Sequence, residues 1–166
     1  MNRRRGRTVR RLPKLSIAVA CASHLILAAR ATTGGGGDQP FFEPLLFDAW
    51  RRATVTIAVA DAGYDSEANH CIARQDLGVR SIIPPNVGRP TSKPPTTRHR
   101  RNMRNRFNRK ADKGHYGQRW QVETVNSMIK RNLGSALRAR TARRRSMELL
   151  IRVITHNIMI VCKAEG

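Results

Sequence analysis

The order of predicted elements along the chain indicates an α/β fold. Two short apolar strand patterns come first, a strand–helix–strand unit follows between residues 55 and 83, and helical periodicity dominates from about residue 98. This order favours a mixed sheet flanked by helices in three layers, with a helical C-terminal part. The chain has 166 residues, 40% of them hydrophobic. This length is typical of a single domain and is sufficient to bury a hydrophobic core.

The first two strands are predicted to form a hairpin. Leu15–Cys21 and Leu25–Ala29 are apolar runs on either side of a Ser23-His24 turn. A basic start followed by apolar residues also imitates a secretory signal peptide, but the Ser-His pair interrupts the apolar run, so the hairpin is preferred. Thr32–Gln39 contains four consecutive glycines without the Gly-Lys-Ser/Thr ending of a nucleotide-binding loop, and we expect a flexible connection there.

The next segments predict a helix and a buried strand. Phe42–Arg52 has apolar residues at helical spacing, consistent with a helix that covers a sheet. Val55–Ala60 is a compact apolar run rich in β-branched residues, which suits a strand covered on both faces. Asp61 follows at its carboxyl end, where open α/β sheets usually place their chemistry.

A helix and a second strand complete the strand–helix–strand unit. Asp65 or Ser66 is the predicted cap at the start of this helix, and Gly78 is its predicted stop. Asp65 itself is interpreted as a helix-start residue, favourable near the positive end of the helix dipole. Val79–Ile83 is the second strand, and we expect a parallel, right-handed connection.

The last half of the chain is predicted to be helical. The Pro-rich segment 84–97 is a linker or surface loop, after which an Arg-rich helical segment runs to about Ala111. Helices are expected at about Tyr116–Leu133 and Ser146–Cys162. The apolar residues of the last helix predict a core helix: Leu149, Leu150, Val153, Ile154, Ile158 and Val161.

The net charge of +21 is extreme and comes mostly from arginine. Arginine in such excess favours a polyanionic partner, because its guanidinium group matches phosphate and stays charged. A generally basic proteome is the alternative explanation. Three clusters crowd the start and flank the helix at 116–133, which predicts a groove that follows a nucleic-acid backbone. The clusters are Arg3, Arg4, Arg5, Arg7, Arg10, Arg11 and Lys14; Arg98, Arg100, Arg101, Arg104, Arg106, Arg109 and Lys110; and Arg138, Arg140, Arg143, Arg144 and Arg145.

The most informative pattern is formed by Tyr116, Arg119, Glu123 and Lys130. Their steps of 3, 4 and 7 return to one helix face, within an arc of roughly 60°. One carboxylate among a phenol and two cations suits a phosphodiester site, where the carboxylate holds a metal ion and the others grip phosphate oxygens.

Each of these residues also has a purely structural interpretation. Glu123 alone is more often an intrahelical partner of Arg119, four residues before it. Asp61 alone, at a strand end, is more often a turn former. Tyr116 could equally pack against Trp120. Only the joint occurrence of these residues favours a functional site.

The spacing resembles the Tyr-x2-Arg-x3-Glu-x6-Lys signature of bacterial insertion-sequence transposases of the DDE type. The block Ala60-Asp61-Ala-Gly-Tyr-Asp-Ser66 is similar to the one around that family's second catalytic aspartate. The resemblance implies a ribonuclease H-like fold and a DNA strand cleavage and transfer activity that uses Mg²⁺ or Mn²⁺. It implies that Asp61 and Glu123 are catalytic metal ligands, and that Tyr116, Arg119 and Lys130 bind DNA.

The chain departs from the family pattern at the first catalytic aspartate. The matching position, Ala20 in Val19-Ala-Cys-Ala-Ser-His24, carries no carboxylate. Asp38 is the nearby substitute, in a glycine loop that would have to fold back. We therefore expect an impaired transposase domain at 15–166, preceded by a basic arm at 1–14 and without the usual N-terminal DNA-binding part. The alternatives are a non-enzymatic basic DNA-binding protein that retains the fold and a remnant without a role.

Composition bounds the cellular setting. Three widely spaced cysteines without a Cys-x-x-Cys pair are typical of reduced thiols in a cytoplasmic protein. His70, next to Cys71, is interpreted as part of a helix surface rather than as a metal ligand. No segment is apolar enough for a membrane span. The expected partner is DNA, both the element ends and the target, with a homodimer on DNA as the candidate assembly.

Overall fold

The computed structural model describes residues 13–32, 36–86 and 95–164, and the backbone of two further strands before them. The strands are β1 (Asn2–Arg4), β2 (Arg7–Val9), β3 (Lys14–Val19), β4 (Ile26–Thr32), β5 (Ile57–Val59) and β6 (Arg80–Ile82). The helices are α1 (Phe42–Arg52), α2 (Glu67–Cys71), α3 (Arg98–Asn108), α4 (Lys113–Gly117), α5 (Trp120–Leu133) and α6 (Ala142–Ala164). The arginine side chains of the predicted basic arm, and residues 87–94 of the Pro-rich segment, lie outside the described residues.

The α/β class is confirmed, but the strands form pairs rather than one mixed sheet. In the described residues β1 pairs with β2 and β3 with β4, both antiparallel, while β5 pairs with β6 in parallel. Because β5 and β6 are only three residues long, they form few ladder hydrogen bonds. Antiparallel and parallel strand pairs are therefore both present. They are not joined into the single mixed sheet that the resemblance implied.

The predicted hairpin is confirmed in β3 and β4. Its turn includes His24, whose positive φ of 61° is unusual for a residue with a side chain. The α6 helix holds this hairpin through two side chains. Asn157 accepts a hydrogen bond from the Ile26 N–H and donates one to the Ile26 carbonyl, both at 2.9 Å, and His156 Nε2 lies 3.0 Å from the His24 carbonyl oxygen.

The strand–helix–strand unit also has the predicted order of elements. Ser66 caps α2, since its Oγ accepts a hydrogen bond from the Asn69 N–H at 3.1 Å. A single π-helical segment, Ile72–Asp76, extends α2. Gly78 then reverses the chain at φ 65°, a conformation that glycine adopts without strain. The parallel β5–β6 pairing follows.

The predicted helix at Tyr116–Leu133 is divided in the structure. Tyr116 belongs to the short helix α4, and α5 begins at Trp120. Gly117 ends α4, and glycine is a poor helix former. Arg119 nevertheless keeps helical angles, φ −55° and ψ −31°, and its N–H donates to the Tyr116 carbonyl at 3.0 Å. The chain therefore continues in nearly the same direction, and the predicted face is kept.

The α6 helix is only partly a core helix, which corrects the prediction. Val153 is buried with Val125 and Ile129 of α5 and with Ile26 of β4. By contrast, Ile154 is 60% exposed. The other exposed members of the predicted core set are Ile158 and Val161. The hairpin and α5 cover one face of this 23-residue helix, and Arg145, Glu148 and Arg152 on another face bond the backbone of the segment that precedes the helix.

A second core lies under α1 and the strand–helix–strand unit. Phe42 and Leu46 of α1 pack there with Ala73, Val79 and Ile83. These residues fix β5, and with it the position of Asp61. None of the helices that the structure describes is both long and apolar enough to cross a membrane.

Candidate functional site

Asp61 lies directly after β5, as the sequence predicted, and its side chain is 65% exposed. Its Oδ1 accepts a hydrogen bond from the Ala62 N–H at 2.6 Å, which starts a short 3-10 turn at Ala62–Tyr64. The turn-forming interpretation is therefore correct as well. The other carboxylate oxygen, Oδ2, points towards α5.

Arg119 connects Asp61 with Glu123. One guanidinium nitrogen, Nη2, lies 2.8 Å from Glu123 Oε1, and Nη1 lies 3.9 Å from Asp61 Oδ2. Asp61 and Glu123, far apart in the sequence, therefore both contact the same guanidinium group. The predicted ion pair between Arg119 and Glu123 within the helix is also confirmed. This ion pair is part of the same arrangement that contains Asp61. The Glu123 side chain is 62% exposed, and both acids are accessible to a large substrate.

Tyr116 is anchored beside this pair. Its ring packs edge-on against Phe107, with centroids 5.1 Å apart, rather than against Trp120. Burial raises the pKa of Tyr116, the positive charge of Arg119 opposes this shift, and the negative charge of Asp61 adds to it. The phenol therefore keeps its proton at neutral pH and remains a hydrogen-bond donor.

Lys130 is exposed on α5, two turns beyond Glu123. At 1.5 Å per residue, the two positions are about 10 Å apart along the helix axis and on nearly the same face. If Arg119 bound one phosphate of a nucleic acid, Lys130 would therefore be positioned to contact a different phosphate.

Ala20 lies at the end of β3, in the turn that approaches the start of α5. Its N–H donates to the Leu25 carbonyl at 2.9 Å, and its side chain is half-buried. His24 Nε2 lies 2.6 Å from Gln121 Oε1, which fixes this turn beside the helix that carries Arg119 and Glu123.

Asp38 lies close to the turn that follows Asp61, which is the condition that a role for Asp38 requires. A Cβ atom built at Gly63 would lie 3.2 Å from Asp38 Oδ2, so the absence of a side chain at Gly63 permits this close approach. Asp38 is thus packed against the turn that follows Asp61. Its other oxygen is paired with Lys14, which neutralises the carboxylate.

No pattern in the sequence indicates the role of Asp65, whose side chain is completely buried in the structure. Arg100 donates to both Asp65 oxygens at 2.8–3.1 Å, and the Asn86 N–H donates to Oδ2 at 2.8 Å. Burial alone would raise the pKa of Asp65. Interactions with His70, Arg100 and the Asn86 N–H outweigh burial and lower it from 3.8 to about 2. The helix-start interpretation of Asp65 is therefore incomplete, because the residue is the centre of a buried ion pair.

A cleft of about 320 Å³ opens over this ion pair. Its lining consists of Gln39, Asp65, Ser66, Glu67, Asn86, Thr97 and Arg100. Asp61 and Glu123 do not line it. The two carboxylates instead face open surface, which suits a polymer better than a small molecule.

The second arginine cluster is partly structural. Arg100 is held by Asp65, and Arg106 donates to the buried Asp112 at 2.6–2.7 Å, together with Arg80. Arg98, Arg109 and Lys110 are exposed. In the third cluster Arg140, Arg143 and Arg144 are exposed. The number of cations available to a polyanion is therefore smaller than the sequence count suggested.

His70 is fully buried, so its assignment to a helix surface is wrong. Its Nδ1 lies 2.8 Å from the Oγ of Ser81 in β6. Nearby, donor atoms of Glu67, Cys71 and His99 lie within 4.8 Å of one another, a grouping that the sequence did not predict. The Glu67 oxygens already accept the N–H groups of His99 and Arg100 at 2.9 and 3.1 Å, which caps α3.

Comparison with protein-family models identifies the family of the chain. The family model described as the transposase DDE domain matches residues 2–158. No curated protein matches the chain, and neither does any solved structure. The family match covers nearly the whole chain and confirms the family that the Tyr116–Lys130 spacing indicated. The chain belongs to the transposase DDE domain family.

Proposed function

We propose that this chain is a DNA transposition domain in which Asp61 and Glu123 form a divalent-metal site for phosphodiester cleavage and strand transfer. The observation that carries the proposal is the Arg119 guanidinium, which contacts Glu123 at 2.8 Å and Asp61 at 3.9 Å. A cation that bridges two exposed carboxylates occupies the kind of position that a metal ion takes. Membership of the family supports transposition as the process.

The donor set fits Mg²⁺ or Mn²⁺. Both ions prefer carboxylate oxygens, and two such side chains converge here on one positive group. When bound, the ion would polarise a phosphodiester and stabilise charge on the attacking and leaving oxygens. Asp61 and Glu123 would hold it. The hydrogen bond from the Ala62 N–H to Asp61 Oδ1 keeps that carboxylate oriented.

The remaining residues of the site would bind the DNA backbone. Arg119 can exchange its carboxylate partners for phosphate oxygens, for which its fork geometry is suited. Tyr116 would donate its phenolic proton to a phosphate oxygen, and Lys130 would contact a neighbouring phosphate along the backbone. The net charge of +21 should make DNA affinity fall steeply with salt. A homodimer on DNA would present two such sites.

We further propose that cleavage is impaired, because position 20 carries alanine. Position 20 matches the family's first catalytic aspartate, and the turn that follows it is held against α5, the helix that carries Glu123, through His24 and Gln121. The second candidate function, DNA binding without catalysis, is favoured by the same alanine and by the neutralisation of Asp38 by Lys14.

Calorimetric titration with Mn²⁺ tests the metal site. We expect weak binding to the unmodified chain, no detectable binding to the Asp61→Asn/Glu123→Gln variant, and at least about tenfold tighter binding to Ala20→Asp, since a third hard oxygen ligand is added. Cleavage of duplex DNA that carries the element's terminal repeats should follow the same order.

Glu43→Gln is the matched control, because it removes one exposed carboxylate from α1, and we expect no change in Mn²⁺ affinity. Equal Mn²⁺ affinity of the unmodified chain and the double variant would contradict the proposed metal site. DNA binding without catalysis would then be the remaining candidate function. Efficient cleavage by the unmodified chain would contradict the impairment, and loss of that cleavage in Asp38→Asn would assign the third carboxylate to Asp38.

A further inference from the structure

Side chains from α2 and from the start of α3 bring together three different metal-binding groups. The Glu67 carboxylate, the Cys71 thiol and the His99 imidazole each place one donor atom within 4.8 Å of the other two. Glu67 and Cys71 are the first and last residues of α2, four positions apart and therefore on one helix face. His99 belongs to the first turn of α3. The group therefore spans the junction between two helices.

Hydrogen bonds already orient the Glu67 carboxylate at this junction. Its two oxygens accept the N–H groups of His99 and Arg100, at 2.9 and 3.1 Å. Arg100 is in turn bound to the buried Asp65, which fixes the start of α3 beside α2. The Thr97 side chain is a further donor to Glu67. Three donors leave one of about four acceptor sites of a carboxylate free for a cation.

The donor types select a zinc-type ion rather than Mg²⁺. Zn²⁺ binds thiolate, imidazole and carboxylate, whereas Mg²⁺ requires oxygen ligands. Ligand atoms around a tetrahedral zinc ion lie about 3.3–3.8 Å apart, because the bonds to zinc are about 2.0–2.3 Å long. The observed separation of up to 4.8 Å is near this value. Side-chain shifts of about 1 Å would therefore complete the geometry.

The charges of the three groups match a divalent cation. A carboxylate and a thiolate contribute two negative charges and a neutral imidazole contributes none, so the ligands neutralise the ion that they hold. This balance is important in a chain of net charge +21, where Arg74 and Arg98 act electrostatically on His99. A divalent ion without anionic ligands would be repelled from this surface.

We propose that Glu67, Cys71 and His99 form a zinc site that fastens the start of α3 to α2, with a water molecule as the fourth ligand. On binding, the Cys71 thiol releases its proton to solvent, and its thiolate bonds the ion. Most of the second arginine cluster is on α3, so the ion fixes the position of these cations. The site is separate in its residues and in its metal from the Asp61–Glu123 pair.

Cobalt substitution tests the site directly. The protein for this test is the Cys21→Ser/Cys162→Ser variant, in which Cys71 is the remaining cysteine, kept reduced with a non-thiol reductant. A Co²⁺ ion bound by a thiolate gives a sulfur-to-metal charge-transfer band, and tetrahedral geometry gives intense visible bands. We expect both sets of bands and their loss when Zn²⁺ displaces Co²⁺. A further Cys71→Ser substitution should abolish the charge-transfer band.

Zinc affinity and thermal stability measure the contribution of the ligands. Replacing a residue that merely supports a metal ligand costs roughly 10–100-fold in affinity. Loss of a ligand in Cys71→Ser or His99→Gln should therefore weaken Zn²⁺ binding at least about 100-fold. Free Zn²⁺ at about 100 times its Kd should raise the Tm of the two-serine variant by about 5–10 °C. The same addition should not raise the Tm of either ligand variant.

His115→Gln is the matched control, because it removes an exposed histidine from α4 and should leave Zn²⁺ affinity unchanged. The Tm of each metal-free variant shows whether it folds. Mn²⁺ titration of Cys71→Ser separates this site from the proposed catalytic pair, since Mn²⁺ affinity should not change. A failure of either proposal can thus be distinguished from a failure of the other.

Three results would overturn the zinc site. The first is the absence of a charge-transfer band when Cys71 is the remaining cysteine. The second is Zn²⁺ affinity that is unchanged in Cys71→Ser and in His99→Gln. The third is loss of Zn²⁺ binding in Asp61→Asn/Glu123→Gln, which would place the ion at the proposed catalytic pair.

Discussion

Asp61 and Asp65 lie four positions apart in one block, yet their environments are opposite. The Asp61 side chain is 65% exposed and lies 3.9 Å from Arg119. Asp65 is completely buried, with Arg100 bound to both of its oxygens. Both acids have an arginine partner. Burial therefore separates their roles, because breaking a buried ion pair destabilises the fold, whereas an exposed ion pair can exchange its partner for a ligand.

The same contrast separates the two arginines. Arg100 is fixed by a buried carboxylate that cannot be solvated if the pair is broken. Arg119 bridges two accessible carboxylates, which water solvates readily. The buried pair is therefore expected to contribute to stability, and the exposed pair to binding.

The largest expected effect is on stability. Asp65→Asn leaves Arg100 without its charged partner and should lower the free energy of unfolding by about 3–5 kcal/mol. Asp61→Asn should change it by no more than about 0.5 kcal/mol. Denaturant unfolding of both variants measures the difference. Equal destabilisation by the two substitutions would show that burial does not separate the roles of these aspartates.

A smaller effect is expected in acid. The pKa of Asp65 is lowered to about 2 from 3.8, so its ionised form contributes stability above pH 3.8, and the contribution is lost as the pH falls towards 2. Its size is about 2 kcal/mol. The stability difference between the unmodified chain and Asp65→Asn should therefore shrink by that amount between pH 5 and pH 2. A difference that is independent of pH would contradict the shift.

The smallest expected effect on stability belongs to Arg119→Gln. The exposed ion pairs of Arg119 contribute little, so the free energy of unfolding should change by less than about 0.5 kcal/mol. Mn²⁺ affinity should rise several-fold, because a positive group between the two carboxylates is removed. Arg100→Gln is the matched comparison and should lose several kcal/mol without a gain in Mn²⁺ affinity. Strong destabilisation by Arg119→Gln would assign this arginine to the fold.

The local elements, and the helix face that carries the candidate site, could be predicted from the sequence alone. Helix α1 was predicted to the residue, and the β3–β4 hairpin and the β5–α2–β6 unit were placed within a few residues. Periodicity and cap residues report local backbone geometry. The face shared by Tyr116, Arg119, Glu123 and Lys130 followed from the same local rule, even though Gly117 interrupts the helix.

Two features depend on tertiary packing: which charged side chains are neutralised within the fold, and which helix faces are buried. The Asp65–Arg100 pair joins positions 35 apart, and the apolar residues of α6 divide between Val153 in the core and Ile154 at the surface. Spacing along the chain cannot specify either outcome. An ion pair depends on how separate elements pack. The apolar pattern of a helix does not show which of its apolar residues are buried in the core and which lie at the surface.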